Sequence, residues 1–305
     1  MHKIKSPIIY MGGKYDMLEY IEALLPKKFF HFYDVFAGAF NVGGNIPCDL
    51  VIYNDLNYRM REFFELLRGT DPYILDEMIR NRIKEAGIIR YQHDTYYKFR
   101  DMYNQNQNPL DMFILHCYSY MHMLQYNNAG KMNCACGDAE YNQFIRGNLI
   151  AFGMKIRKKN IEFYSSDFHE IINMATESVN CGDDVLYCDP PYLISSGAYN
   201  KHAGQWNEKD EDTLYKFLNV YADAGGKFIL SNVMKHREST NEILKSFSER
   251  FNVYHVPDKN YHNMDNLMKP NVSAYETETD EVLVTNIKEP RNPKIFQKGK
   301  ARSLW

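Results

Sequence analysis

Apolar runs long enough to cross a bilayer are missing from this 305-residue chain, since none approaches the ~20 residues that a membrane helix needs. Residues 1–7 hold no signal-peptide core, so a cytoplasmic protein with no membrane partner is expected. Cysteine is sparse. The six present include Cys134 and Cys136, one residue apart, with no second pair and no His-x-x-x-His, so reduced thiols and no metal are expected. Surplus charge of one sign is also lacking. A net charge of −3 excludes bulk attraction of a polyanion, and any such contact has to be a local patch. No strand leads into G-x-x-x-x-G-K-[ST], which argues against nucleoside triphosphate hydrolysis, and there is no G-x-G-x-x-G turn.

What is present is ordinary globular composition, 45% hydrophobic and 25% charged, in a chain long enough to bury a substantial core. Strand-like apolar runs at 29–36, 50–53, 161–164, 185–188, 227–230, 251–256 and 281–285 alternate with amphipathic segments at 16–25, 58–67, 208–224 and 239–248. That alternation predicts an α/β fold with a doubly wound, Rossmann-like sheet. Between about residues 70 and 155 it stops. Helix-like segments at 72–84, 93–104 and 109–124 are followed by the polar stretch 126–133, which reads as a hairpin. The predicted organisation is a catalytic domain over 1–69 and 156–290, an inserted helical recognition domain over 70–155, and a basic tail over 291–305.

Chemistry concentrates where strands run out. Asp189-Pro190-Pro191-Tyr192 follows the apolar run Val185-Leu186-Tyr187-Cys188. Proline has no N–H but keeps its carbonyl, so Pro190 offers an acceptor, Asp189 a second one and Tyr192 a ring. Together they suit a flat amine, although a strand-ending turn uses the same residues. Asp34-Val35-Phe36 runs into the small-residue turn Ala37-Gly38-Ala39, where backbone can approach a ligand closely. About 20 residues on, Asn54-Asp55 closes the next strand, the position of a carboxylate that holds both ribose hydroxyls of a nucleoside. Tyr10-Met11-Gly12-Gly13-Lys14 adds an aromatic for a sulfonium or adenine and a cation for a carboxylate, or else an edge ring and a surface lysine. Ser231-Asn232 closes a further strand on the same predicted edge.

In order and spacing, Tyr10 to Lys14, Asp34 to Gly38, Asn54-Asp55, Asp189 to Tyr192 with Tyr199-Asn200-Lys201 beyond it, and Thr279-Asp280-Glu281-Val282-Leu283-Val284-Thr285-Asn286 resemble the Dam-type, α-group adenine-N6 DNA methyltransferases. Among these the chain is most similar to the phage-encoded Dam enzymes. The resemblance spans about residues 8 to 287. It implies a site-specific enzyme that moves a methyl group from S-adenosylmethionine, leaving S-adenosylhomocysteine, to N6 of a flipped adenine in double-stranded DNA, without a metal. By the same resemblance Tyr10, Lys14, Asp55 and Asp189 contact the cofactor, Asp34 and the turn of Phe36, Ala37 and Gly38 lie beside it, and Asp189 and Pro190 grip the target amine, with Pro191 and Tyr192 completing the motif. The setting implied is a bacterial or phage-infected cell, with a monomer or weak dimer on DNA and room for a companion endonuclease.

Site reading falls to the insert. Family members typically carry Arg-x-Asn before the hairpin glycine and a proline after it; here stand Gln125-Tyr126-Asn127 and, later, Ala135-Cys136. The resemblance implies GATC or a related short site, and since arginine suits guanine whereas glutamine suits adenine, the departure bears on which base is read there. Gln125, Asn127 and Asn133 are the hairpin's candidate DNA contacts. Tyr118 and Tyr120 read either as wedges for the gap left by a flipped base or as core aromatics. Lys27 and Lys28, and the cluster of Lys155, Arg157, Lys158 and Lys159, are candidate phosphate contacts. The alternatives are a catalytically idle DNA-binding protein and an RNA adenine methyltransferase.

Overall fold

The computed structural model describes residues 3–10, 12–179, 184–194, 206–256 and 279–297. Met11, the Tyr199-Asn200-Lys201 element and the tail cations Lys298, Lys300 and Arg302 lie outside them. Among the described residues the strands are β1 (His31–Asp34), β2 (Leu50–Asn54), β3 (Ile161–Tyr164), β4 (Asp184–Cys188), β5 (Lys227–His236), β6 (Ser239–Thr240), β7 (Asn252–His255) and β8 (Thr279–Thr285). The helices are α1 (Leu18–Leu24), α2 (Tyr58–Gly69), α3 (Pro72–Ala86), α4 (His93–Asn106), α5 (Pro109–Tyr118), α6 (Gln143–Ile156), α7 (Phe168–Ser178), α8 (Glu208–Asp223) and α9 (Glu242–Ser248). The expected mixed α/β, Rossmann-like class is observed, with β1 parallel to β4, β4 to β5 and β2 to β3. The chain forms two compact units, one of residues 1–16 and 37–167, the other of 17–36 and 168–305.

In the first unit β2 and β3 pair in parallel, Val51 opposite Ile161, and α2 to α6 bury one aromatic and aliphatic core. Asn57, Asp71, Asn108 and Asn142 each cap a helix by accepting backbone N–H groups of its first turn, which satisfies donors that otherwise have no intrahelical partner. Asp111, buried in α5, takes both nitrogens of the Arg82 fork at 2.8 Å. The loop after residue 37 is nailed to this core by Phe40. Its ring lies 4.9 Å from Tyr53, 5.4 Å from Phe64, 6.2 Å from Phe152 and 6.3 Å from Phe163. Its backbone is left-handed, φ +59°, a conformation that costs a β-carbon-bearing residue ~1–2 kcal/mol and is offset by burying a whole ring.

Two expectations change here. The helix foreseen over 109–124 stops at Tyr118, because Ser119 turns extended and Met121 and His122 both have positive φ, +53° and +56°. α6 went unforeseen, its pattern broken by Gly147 and Gly153. Gly153 is a packing residue, since a β-carbon there would stand 2.8 Å from the Pro72 ring and 2.9 Å from Leu67.

In the second unit β1, β4 and β5 run parallel, while β8 lies antiparallel between β5 and β7. β5 does not close at Ser231-Asn232. It continues to His236 because β8 offers it a ladder along that whole length, with one bulge between Val233 and Lys235. Arg291 donates to the carbonyls of Leu25 and Pro26, and Phe296 lies 5.4 Å from Tyr20. The start of the basic tail is thus packed onto the end of α1. Among the described residues no helix is long and apolar enough to cross a membrane.

Gly44 gives a test of the Phe40 loop. A β-carbon there would stand 2.6 Å from the Phe40 carbonyl oxygen and closer still to the Phe152 ring, so Gly44→Ala is expected to cost ~1–3 kcal/mol. Urea unfolding should show a lowered midpoint with an unchanged slope.

Candidate active site

Asp55 stands directly after β2 and is fixed from two sides. Its Oδ2 accepts from the Gly38 N–H at 2.9 Å and its Oδ1 from the Asn57 N–H at 2.8 Å. Burial pushes its carboxyl above the usual carboxylate range, while the Asn57 and Gly38 amides pull it back. Each oxygen keeps a lone pair beyond the one these amides use. Gly38 is left-handed at φ +48°, and a β-carbon on it would point 3.9 Å from the Tyr10 ring and 4.0 Å from Asp55 Oδ2. The structure therefore brings Tyr10, Gly38 and Asp55 together, with Gly38 in the left-handed backbone that favours glycine. Lys14 is buried, 6% exposed, and donates to the Gly12 carbonyl at 2.7 Å. Ala37 is tied to β2 by its N–H to the Asn54 carbonyl, 2.8 Å.

The end of β2 is also tied to the loop after β3, which sequence reading passed over. The Asn54 side chain donates to the Ser166 carbonyl at 3.0 Å and accepts the Ser166 N–H at 2.9 Å, pinning the loop after β3 beside the end of β2 and placing Asp167 next in the chain. Its signal was legible, being an apolar strand followed within a few residues by an acid, the pattern already used for Asp55.

In the second unit Asp34 and Asp189 stand at the carboxyl ends of the parallel strands β1 and β4, the edge where open α/β sheets bind ligands. Pro190 is buried and Pro191 exposed. The Tyr192 hydroxyl lies 3.2 Å from Asp189 Oδ1 and 2.9 Å from Glu281 Oε1 on β8, a tether of its far end that the motif alone did not disclose. Phe36 is half-buried between Phe168 and Trp206, both 5.7 Å away, and Trp206 Nε1 donates to the buried Glu211. Lys27 and Lys28 are exposed but precede β1, so they occupy the amino edge, opposite Asp34 and Asp189.

The hairpin of the first unit is anchored from beneath. Gly130 accepts from Arg59, Met132 exchanges bonds in both directions with the Asn104 side chain, and Cys134 accepts from Tyr96 and Arg100. The Arg59 guanidinium also covers the Tyr126 ring at 4.1 Å. Leu124, Met132 and Cys134 are buried; Asn127, Lys131 and Asn133 are exposed, and Gln125 is half-exposed. The Asn127 side-chain oxygen accepts from Ala129 and Lys131, both at 3.0 Å. Tyr118 lies in the core, whereas Tyr120 is 41% exposed and has its N–H held by the Ala135 carbonyl. In the basic cluster, Lys155 donates to Asn45 and Lys159 to the Ile46 carbonyl; Arg157 and Lys158 are exposed.

A profile described as D12 class N6 adenine-specific DNA methyltransferase matches residues 10–262. The chain belongs to that family. It is 35% identical over 295 residues to "Modification methylase StsI" of Streptococcus sanguinis, covering 92% of this chain and 44% of that protein. It is 33% identical to "Type II methyltransferase M.FokI" of Planomicrobium okeanokoites, covering 93% of this chain and 43% of that one. "DNA adenine methylase" of Escherichia coli (strain K12) is 27% identical over 206 residues, 66% of this chain and 69% of that protein. This D12 chain thus spans less than half the length of the first two.

His116 ties the Tyr10 segment of this D12 chain to α5. Its Nε2 accepts the Ile9 N–H at 3.0 Å, and its ring, wholly buried, lies 5.4 Å from that of His122. Burial, reinforced by His122, lowers its pKa from 6.5 to about 3. The neutral form is the folded one. Its contribution is therefore complete above the unfolded pKa and is lost as pH falls from about 6.5 toward about 3, with a slope approaching ~1.4 kcal/mol per pH unit. Unfolding free energies between pH 7 and 4.5 should fall less steeply in His116→Gln than in the parent chain.

Proposed function

We propose that this chain methylates N6 of a flipped adenine at a short, specific site in double-stranded DNA, with S-adenosylmethionine as donor. The observation that carries the reading is Asp189-Pro190-Pro191-Tyr192 at the carboxyl end of β4, with the Tyr192 hydroxyl tethered. An adenine amine is a poor nucleophile because its lone pair is delocalised into the ring. Hydrogen bonds from its two N–H groups to the Asp189 carboxylate and the Pro190 carbonyl favour a pyramidal nitrogen with a localised pair, and Tyr192 supplies a stacking wall. A paired adenine offers its amine to neither group, which is why the target leaves the stack. S-adenosylmethionine, when bound, supplies an electrophilic methyl group for direct transfer to that nitrogen.

The cofactor residues fit the assignment on their own geometry. Asp55 accepts the ribose hydroxyls with the lone pairs its backbone donors do not use, and the bare Gly38 between Tyr10 and Asp55 lets backbone approach the ligand. Lys14 is assigned to the methionine carboxylate, and Asp34 with Phe36 to the adjoining wall.

Target choice is assigned to the exposed edge of the hairpin, where Gln125 and Asn133 stand opposite each other through the Asn133 N–H to Gln125 carbonyl bond. Because the Asn127 oxygen closes the turn, that residue meets a base through its NH₂, as a donor to acceptors such as N7 or O6 of guanine. Tyr120 is the wedge candidate. The chain's similarity to "Modification methylase StsI" and "Type II methyltransferase M.FokI" favours a modification role.

Tritiated methyl transfer from S-adenosylmethionine to unmethylated duplex DNA tests the reading. The parent chain should label adenine, and Asp189→Ala should lose at least ~10³-fold in rate. No label in any duplex would favour an idle binding protein, and preferential label in structured RNA would overturn the substrate. Asp55→Asn is expected to weaken cofactor binding ~10-fold by titration calorimetry. Gln125→Arg should move one position of the methylated site toward guanine when modified adenines are mapped in a methylation-deficient host.

A further inference from the structure

Among the described residues the Tyr192 hydroxyl has two carboxylates within reach, and one proton to give. Glu281 Oε1 is the nearer at 2.9 Å, against 3.2 Å for Asp189 Oδ1. Glu281 is 6% exposed and sits on β8 with its backbone held on both sides, paired with Val233 of β5 and accepting the Val256 N–H at 2.9 Å. A buried carboxylate is costly to keep unless it is hydrogen-bonded, and this one is placed on the ring whose face the target base would meet.

We propose that Glu281 is a positioning residue for the acceptor base. It takes the Tyr192 proton, which fixes the ring at its far end and keeps that proton off Asp189. Asp189 Oδ1 then accepts from the target amine. Without the Glu281 charge the phenol turns to its second acceptor, where it competes with the amine for Asp189 and tilts the wall. The inference rests on the reading of Asp189 to Tyr192 as the amine site. It concerns a side chain 89 positions away from Tyr192, one that acts only through that hydroxyl.

Four proteins decide the matter: the parent chain, E281Q, Y192F and the double variant. Each is assayed for methyl transfer to unmethylated DNA at saturating donor, for S-adenosylmethionine affinity by calorimetry, and for unfolding midpoint. E281Q is expected to lower kcat about tenfold, the loss of a charge-assisted hydrogen bond, with KM and calorimetric affinity for the donor within about twofold. Adding E281Q to Y192F should bring no further loss, because the hydroxyl through which Glu281 acts is already gone. Parental kcat in E281Q, or losses that multiply in the double variant, would overturn the proposal. Should E281Q fail to fold, E281D, which keeps the charge but is one methylene short of the hydroxyl, carries the same comparison. A parent chain that labels no DNA would strike down the amine site itself; labelling that E281Q leaves untouched would strike down only Glu281.

Discussion

Phe40, held in a left-handed backbone at the centre of four aromatic rings, is the constraint on which the first unit's ligand-facing surface depends. With that ring buried, residues 37–46 have one course to follow. Asn41 and Asn45 then receive the N-terminal segment of residues 4–6, Lys155 and Lys159 close the far side, and the Gly38 N–H faces Asp55. Loops exposed to solvent rarely hold a donor and an acceptor this firmly, because each ordered residue costs ~1–2 kcal/mol of backbone entropy. Here the cost is met by buried apolar area.

The second unit solves a related problem with charge. Glu211 is fully buried on α8 and collects donors from Trp206, Tyr215, Asn232 and Asn241, which joins α8 to β5 and to the residue opening α9. Glu281 does the same on a smaller scale for Tyr192. A buried carboxylate without such donors would be strongly destabilising, and with them it becomes a rigid fixture. Both carboxylates end on aromatic side chains, Tyr192 for Glu281 and Trp206 with Tyr215 for Glu211, so rigidity is delivered to those rings.

The strand ends carrying Asp34, Asp55 and Asp189 were legible from sequence because β-strands announce themselves as short apolar runs and the acids follow immediately. Contacts made across long separations were not. The partnership of Tyr192 with Glu281 depends on β8 lying antiparallel beside β5, which no local pattern encodes, and the extension of β5 past Ser231 has the same origin. Lys155 and Lys159 look like free cations in the sequence; only the folded loop at 41–46 reveals the oxygens that engage them. Tyr118 and Tyr120 are two residues apart and equally aromatic, and what separates them, the helix end at Ser119 and the left-handed pair Met121 and His122, is a tertiary compromise that helix periodicity does not register.

The alternation along the hairpin has an evolutionary consequence. Leu124, Tyr126, Met132 and Cys134 face the helices and carry the anchoring, while Gln125, Lys131 and Asn133 point the other way. Under the role proposed for this hairpin, stability and sequence choice are written in alternate letters of the same short segment. Drift at the outward letters would then retarget such a protein one base at a time while the inward letters keep the frame intact, which is the condition under which a lineage can diversify its sites without passing through unfolded intermediates.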